Sequence, residues 1–418
     1  MEKRVPSASC HRTLRSLASA FRQLQMKRIT LCFAVLLFLS LSFSGPASSR
    51  EEAEDCLVNR YSDFHRTRVE KLRSGEAVKM LVYVCKADVV CGGVGDRISG
   101  MLSVLYAAIA MERLFIIDST HPLPLSATLS EARVRWDLAH LIPPSPSNTS
   151  FVAINSIDRR DELLDELFAA HEAGIQVIYV RVNRYHVAMN LWSNAHWTSK
   201  SSYSGLLQVM QQRVCPSSGR SSPPTPALSF HVAFEVLFNF SPEVLDRVAE
   251  MQSHLGIGRV SPHYVAMHAR IGGESDSWSD PVRHRLGDSL AFLECALSKL
   301  STLQKGKLGK VVVFSDNLRF KQEISHLDDR VKYFQDSVLL HVDISKLDDH
   351  KILHKGTIDT YAELYLLSRA ECIIGSQSTF SGVGGSIYLP FEQRARCYSP
   401  FYQCNLSSYD FWLFEGLK

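Results

Sequence analysis

His268 and Arg270 stand two residues apart at the end of the apolar run Tyr264-Val-Ala-Met-His-Ala-Arg-Ile-Gly272. In a strand, positions i and i+2 share a face, so both side chains would point the same way. A guanidinium is a planar fork that matches a pyrophosphate and can neutralise charge on a departing diphosphate. The plainer reading is a histidine and an arginine that close a strand end. A second run, Val311 to Phe314, ends in Ser315 and Asp316. An acid there can accept hydrogen bonds from a ribose or from guanine N–H groups, or it can cap the next helix. A third run breaks at Gly375 into Ser376-Gln-Ser378-Thr379-Phe-Ser381, four hydroxyls in six residues. Hydroxyls ahead of a helix N-terminus form a phosphate cradle, and they exceed what one helix cap needs.

A fourth feature is Cys91-Gly-Gly93-Val-Gly95-Asp96-Arg97. Glycines between a strand and a helix let a ligand approach the backbone. A dinucleotide fold would also place glycines here and an acid near Asp118. Its third glycine, however, falls on Ile98, so that pattern fails. A purely structural turn is the other alternative.

These residues need elements to position them. Apolar runs predict strands at 80–84, 114–118, 177–182, 264–267, 311–314 and 371–374. Helical spacing predicts helices near 97–112, 289–300 and 360–368. The alternation reads as α/β with parallel strands. Ligands in such sheets sit beyond the carboxyl ends of strands, where all four features lie. Residues 46–78 are polar without a clear period and read as a stem. The stretch 215–227 reads as a Ser/Pro-rich loop.

The 418 residues are 45% apolar and 21% charged, enough for two globular domains. Net charge is +3, but residues 1–28 carry seven Lys/Arg against one acid, leaving the body near −3. A slightly acidic body excludes a nucleic-acid binder that relies on a basic folded face. Residues 29–45 are uncharged and long enough for a short membrane span, basic before and acidic after. That predicts a single-pass type II anchor with a cytosolic tail and a lumenal body. A cleaved signal peptide is the alternative. Eight of the ten cysteines lie in that body, an even number that permits disulfides. Cys85 with Cys91 and Cys397 with Cys404 are the nearest pairs, while Cys372 in an apolar strand reads as a buried thiol. Asn148 and Asn405 are N-glycosylation acceptors. Asn239 is followed by Pro242 and is a poorer one.

The glycine loop with its helix and LFIID strand, the HARIG run, VVVFSD and TYAELYLLSRAECIIGSQSTFS, in this order, resemble the fucosyltransferase superfamily of α1,2-, α1,6- and protein O-fucosyltransferases. The resemblance covers about 79–390. It implies a GT-B fold, two Rossmann-like α/β domains facing a cleft: 79–257 on the acceptor side and 258–418 on the GDP-sugar side. It implies GDP-fucose as donor, a glycan or protein hydroxyl as acceptor, inversion at the anomeric carbon, and no cofactor or metal. The sequence has no Asp-x-Asp metal signature. Carried onto this chain, Arg270 would act in catalysis on the β-phosphate, and His268 and Asp316 would hold the guanosine. Ser376, Ser378 and Thr379 would contact phosphate or ribose, and Gly93, Gly95, Asp96 and Arg97 would shape the cleft near the fucose. Many members have a second basic residue after the arginine, where this chain has Ile271. Asp96 also departs from the family's usual asparagine. Asp96 and Glu274 are candidates for the general base. The expected compartment is the Golgi or the endoplasmic reticulum. A transferase using another nucleotide sugar, or an inactive lumenal binding relative, is the competing reading.

Overall fold

The computed structural model describes residues 48–87, 91–143, 148–154, 160–183, 226–258, 263–274, 279–283, 289–303, 309–338, 340, 349–376, 378–387 and 398–400. The chain divides into two compact units, Met1–Asp55 and Cys56–Lys418. The expected span at 29–45, Cys397, Cys404, Asn405 and nearly all of the 215–227 loop lie outside the described residues. Among those described, no helix is long and apolar enough to cross a membrane.

The first described element corrects the reading of 46–78 as aperiodic. Helix α1 spans Ser48–Arg73. Tyr61, His65 and Val69, four residues apart, are buried. Strand β1 (Met80–Cys85), helix α2 (Val94–Ala110) and strand β2 (Leu114–Ser119) follow. Next come β3 (Leu129–Glu131), β4 (Thr149–Ile154), helix α3 (Arg160–Glu172) and β5 (Val177–Val182). The strands β2–β1–β5–β4 form one parallel sheet. Parallel sheets are covered on both faces, and β1 is buried along its whole length. β2 is an edge strand; α1 satisfies the outward groups at its start, and further along the Trp136 carbonyl accepts from Ile117 N at 2.9 Å. Tyr61 Oη donates to the Arg113 carbonyl at 3.1 Å and accepts from Phe115 N at 3.2 Å. His65 Nε2 lies 2.9 Å from the Phe115 carbonyl oxygen. An edge covered in this way cannot pair with another chain.

Helix α4 (Pro226–Leu237) leads into β6 (Phe238–Phe240), which pairs antiparallel with β3. Helix α5 (Pro242–Leu255) has local causes at both ends. Ser241 caps it with Pro242 in the first turn, and Gly256 closes it in the left-handed conformation.

The second sheet begins with β7 (Tyr264–Ala269) and the short antiparallel pair β8 (Gly273–Glu274) and β9 (Ser279–Asp280). It continues through α6 (Ser289–Leu303), β10 (Lys310–Ser315), α7 (Leu318–Ser325) and β11 (Val331–Lys332). It ends with α8 (His350–Arg369), β12 (Cys372–Gly375), α9 (Thr379–Ile387) and β13 (Tyr398–Pro400). The order is β11–β10–β7–β12–β13, all parallel. The polar stretch before α6 thus holds a small hairpin, and α8 starts ten residues before the spacing predicts. Its opening turns are polar, and Asp349 caps them by accepting from Lys351 N and Ile352 N.

One apolar cluster contains residues of both sheets, among them Tyr83, Phe115, Tyr264 and Phe314, together with Tyr361 and Leu367 of α8. Cys85 and Cys91 form a disulfide that brackets the approach to the glycine turn. Cys372 is also disulfide-bonded, as is Cys295, which corrects its reading as a free buried thiol.

Candidate functional site

β7 lies between β10 and β12, with Phe314 opposite His268 on one side and Gly375 opposite it on the other. This register puts three loops at one edge: Arg270–Gly272 after β7, Asp316 after β10 and Ser376 after β12. Arg270 sits one residue past the end of its strand.

The backbone of that first loop is pinned from both neighbours. Ser376 Oγ accepts from Arg270 N at 2.8 Å, and Ser376 N donates to the His268 carbonyl at 2.9 Å. Asp316 accepts from Ile271 N at 2.8 Å and from Gly272 N at 3.0 Å, one amide to each carboxylate oxygen. Asp316 is therefore an anchor of the loop. Neither sequence reading anticipated this: the cap of α7 is Asn317, which accepts from Phe320 N at 2.9 Å. Two adjacent amides need an acceptor wherever the chain turns inside the protein.

The Arg270 side chain lies between two carboxylates, Nη2 at 2.7 Å from Asp280 Oδ2 and Nη1 at 3.1 Å from Asp316 Oδ2. Asp280 sits on β9, and no sequence feature pointed to it. Burial pushes its carboxyl up. The Arg283 hydrogen bonds and the Arg270 and Arg283 charges outweigh that, leaving its pKa below the usual value.

His268 is buried, its Nδ1 2.5 Å from Ser381 Oγ and its ring beside Phe380. Burial, then the charges of Arg270 and Lys321, lower its pKa to about 3, so the ring is neutral at pH 7. Lys321 is itself buried and paired with Glu363 at 2.9 Å, joining α7 to α8.

Of the hydroxyl run, Ser376 and Ser381 are buried and Thr379 is exposed. Ser378 Oγ accepts from Phe380 N at 3.3 Å in the first turn of α9. The glycine turn meets this same helix start. A Cβ on Gly95 would fall 2.6 Å from Phe380 N and 2.6 Å from the Thr379 carbonyl carbon, so only glycine lets the two backbones meet. Gly93 precedes the first turn of α2 as its cap residue, and Asp96 lies in that turn. Two helix N-termini, each with partial positive charge, therefore converge beside the ends of β7 and β12.

Arg97 has a structural position. It is buried, its Nε donates to the Gly92 carbonyl at 2.8 Å, and Nη1 donates to the His121 carbonyl. It braces the glycine turn against the loop after β2 and lines a small pocket with His121, Pro122, Thr357 and Tyr361. Asp118, the acid a dinucleotide fold would use, pairs with Lys86 at 2.7 Å. Glu274 lies on β8. The structure therefore brings Arg270, Asp316, Ser376 and His268 together and joins Gly95 to Thr379. Asp280, Arg283, Phe380 and Ser381 complete the cluster, and the sequence reading did not assign them.

No protein-family model matches the chain. No curated protein matches it by sequence. Solved structures do. A point mutant of Arabidopsis thaliana FUT1 in complex with GDP aligns at TM-score 0.50 and 14% identity, covering 81% of this chain and 80% of that one. NodZ α-1,6-fucosyltransferase soaked with GDP-fucose aligns at TM-score 0.44 and 17% identity, over 74% of this chain and 92% of that one. Fucosyltransferase NodZ from Bradyrhizobium gives 0.41 and 16%, over 73% and 92%. The chain has a fucosyltransferase-like GT-B fold.

Proposed function

We propose that the chain is an inverting glycosyltransferase that moves fucose from GDP-fucose to a hydroxyl of a glycan or protein. The observation that carries this reading is the fixed guanidinium of Arg270. Ser376 accepts from its backbone amide, Asp316 accepts from the next two amides, and Asp280 and Asp316 hold its side chain. A cation fixed before the reaction needs no reorganisation as charge develops. The GT-B fold and the GDP bound to Arabidopsis FUT1 support the choice of nucleotide.

In a single displacement the acceptor oxygen would bond to the anomeric carbon as the bond from that carbon to the β-phosphate oxygen breaks. The acceptor proton passes to a base, for which Asp96 and Glu274 are the candidates, and GDP leaves with the bonding electrons. Arg270 would stabilise that leaving charge. Ser378 and Thr379, at the start of α9, would meet phosphate or ribose. Residues 258–418 would hold the donor and 79–257 the acceptor, with 29–45 anchoring the body in the lumen of the Golgi or endoplasmic reticulum. No metal or cofactor enters this reading.

Calorimetry with GDP, UDP and CMP, with and without EDTA, tests the donor. GDP should bind most tightly and EDTA should change nothing. Equal affinity for the three, or binding abolished by EDTA, would count against this donor, and tightest binding of UDP or CMP would favour a different nucleotide sugar. Mass spectrometry of an acceptor library incubated with GDP-fucose tests the transfer. GDP binding without any transfer would favour a binding protein.

A further inference from the structure

The hairpin after β7 returns a second guanidinium to the first. Gly272 has φ +72°, and a Cβ there would lie 2.1 Å from the Pro281 carbonyl oxygen. Arg283 N donates to the Ile271 carbonyl at 2.8 Å. With β8 paired to β9, these contacts lock the base of the hairpin. Asp280 and Arg283 are thereby held beside Arg270. Asp280 Oδ2 accepts from Arg270 Nη2 at 2.7 Å and from Arg283 Nε at 3.1 Å, and its Oδ1 accepts from Arg283 Nη2 at 3.3 Å.

Charge balance gives this arrangement a function. Arg270 faces two carboxylates, and these three groups alone would carry a net negative charge that repels a phosphate. Arg283 brings the four to neutrality. It is also the open member, with 49% of its side chain exposed against 17% for Arg270 and 9% for Asp280. Ile271, the residue after Arg270, has a hydrocarbon side chain buried in the apolar cluster with β7 and α6, so no second charge comes from that position. We propose that Arg283 is a second diphosphate-binding side chain, with Asp280 the shared carboxylate that spaces the two guanidiniums. The proposal rests on the nucleoside-diphosphate reading above. It assigns Arg270 and Arg283 jointly to the β-phosphate, the group that distinguishes GDP from GMP.

Calorimetry of the full chain with GDP and GMP tests it, with circular dichroism as the check on folding. Arg283→Ala should weaken GDP on the order of 10-fold, the size of a charge-assisted contact, and weaken GMP less. Arg283→Lys should fall between Arg283→Ala and wild type. The double variant Arg283→Ala/Asp280→Asn restores neutrality without restoring the fork, and its GDP affinity should stay low. Recovery to the wild-type value would show that Arg283 only neutralises Asp280 and would overturn the proposal. Equal loss for GDP and GMP, or no loss, would also overturn it while leaving the donor reading intact. A wild-type chain that binds no GDP would remove both.

Discussion

Asp316, at the end of β10, reaches the loop after the neighbouring strand and binds Arg270 Nη1 at 3.1 Å while accepting the next two backbone amides. One carboxylate thus sets both the side chain and the main chain of the central arginine. Asp316→Ala leaves two partly buried amides without this acceptor, at about 1–3 kcal/mol for each that water cannot reach. Asp316→Asn keeps one carbonyl oxygen and should cost less. Denaturant unfolding measures both, and an alanine variant as stable as wild type would show that Asp316 is not an anchor.

Gly95 joins the glycine turn to the start of α9, and the atoms a new methyl would meet are backbone. Backbone cannot rotate aside as a side chain can, so Gly95→Ala must move one helix start. Overpacking of this kind costs about 1–3 kcal/mol. GDP affinity should fall along with melting temperature. Gly382→Ala is the control, since open space surrounds that glycine. Equal behaviour of the two variants would show that the close approach does not matter.

The strands that carry the site were legible because a strand buried on both faces is an apolar run, and 264–267 and 311–314 are such runs. β7 and β10 extend these by two residues or fewer. Arg270, Asp316 and Ser376 followed from standing at strand ends. Asp280 and Arg283 did not: a two-residue strand leaves no period, and Asp280 meets Arg270, ten residues back, only once the hairpin has formed, with Arg283 joined to Asp280 in turn. The inward stripe of α1 was hidden in another way. One of the inward positions among its described side chains is His65, which reads as polar until it finds the edge of β2. For α5 the local signals were present in Ser241, Pro242 and Gly256, and the reading did not use them.

Two buried histidines give the fold an acid limit. Burial lowers the pKa of His65 to about 4, with its Phe115 hydrogen bond opposing, and that of His268 to about 3. Both lie below the usual value of 6.5. Above pH 6.5 neither the folded nor the unfolded chain holds the proton, and nothing is lost. Below it the unfolded chain takes up protons that the folded chain refuses. Stability therefore falls as pH drops, by about 1.4 kcal/mol per unit for each histidine. For His65 this continues to about pH 4. Unfolding measured from pH 7 to 4 should show this slope, reduced in His65→Gln. An unchanged slope in that variant would remove His65 from the account.

Asn148 is exposed at the entry to β4, and its own carbonyl accepts from Gln176 N and Val177 N. Its backbone is thus held by the sheet while the residue faces solvent, as a glycan would require. If the body is lumenal, endoglycosidase should shift the mobility of the full-length protein, and Asn148→Gln should reduce that shift. A membrane-free, unglycosylated protein would contradict the topology.

Arg270→Lys separates catalysis from scaffolding. Cleaving the bond between sugar and diphosphate builds negative charge on the leaving phosphate while the sugar gains oxocarbenium character. Lysine keeps the charge, but it cannot span Asp280, Asp316 and a phosphate with one planar fork. If the fork acts mainly in the transition state, kcat falls while the donor KM changes little. Losing one preorganised contact of this kind costs on the order of 10²–10³ in rate. Arg270→Ala should be worse, since it leaves Asp280 and Asp316 facing the phosphate with Arg283 as their only guanidinium among the described residues. Circular dichroism should show both variants folded. Should Arg270 merely close a strand end, Arg270→Lys would turn over at a near-normal rate, and the centre of this mechanism would have to be sought elsewhere.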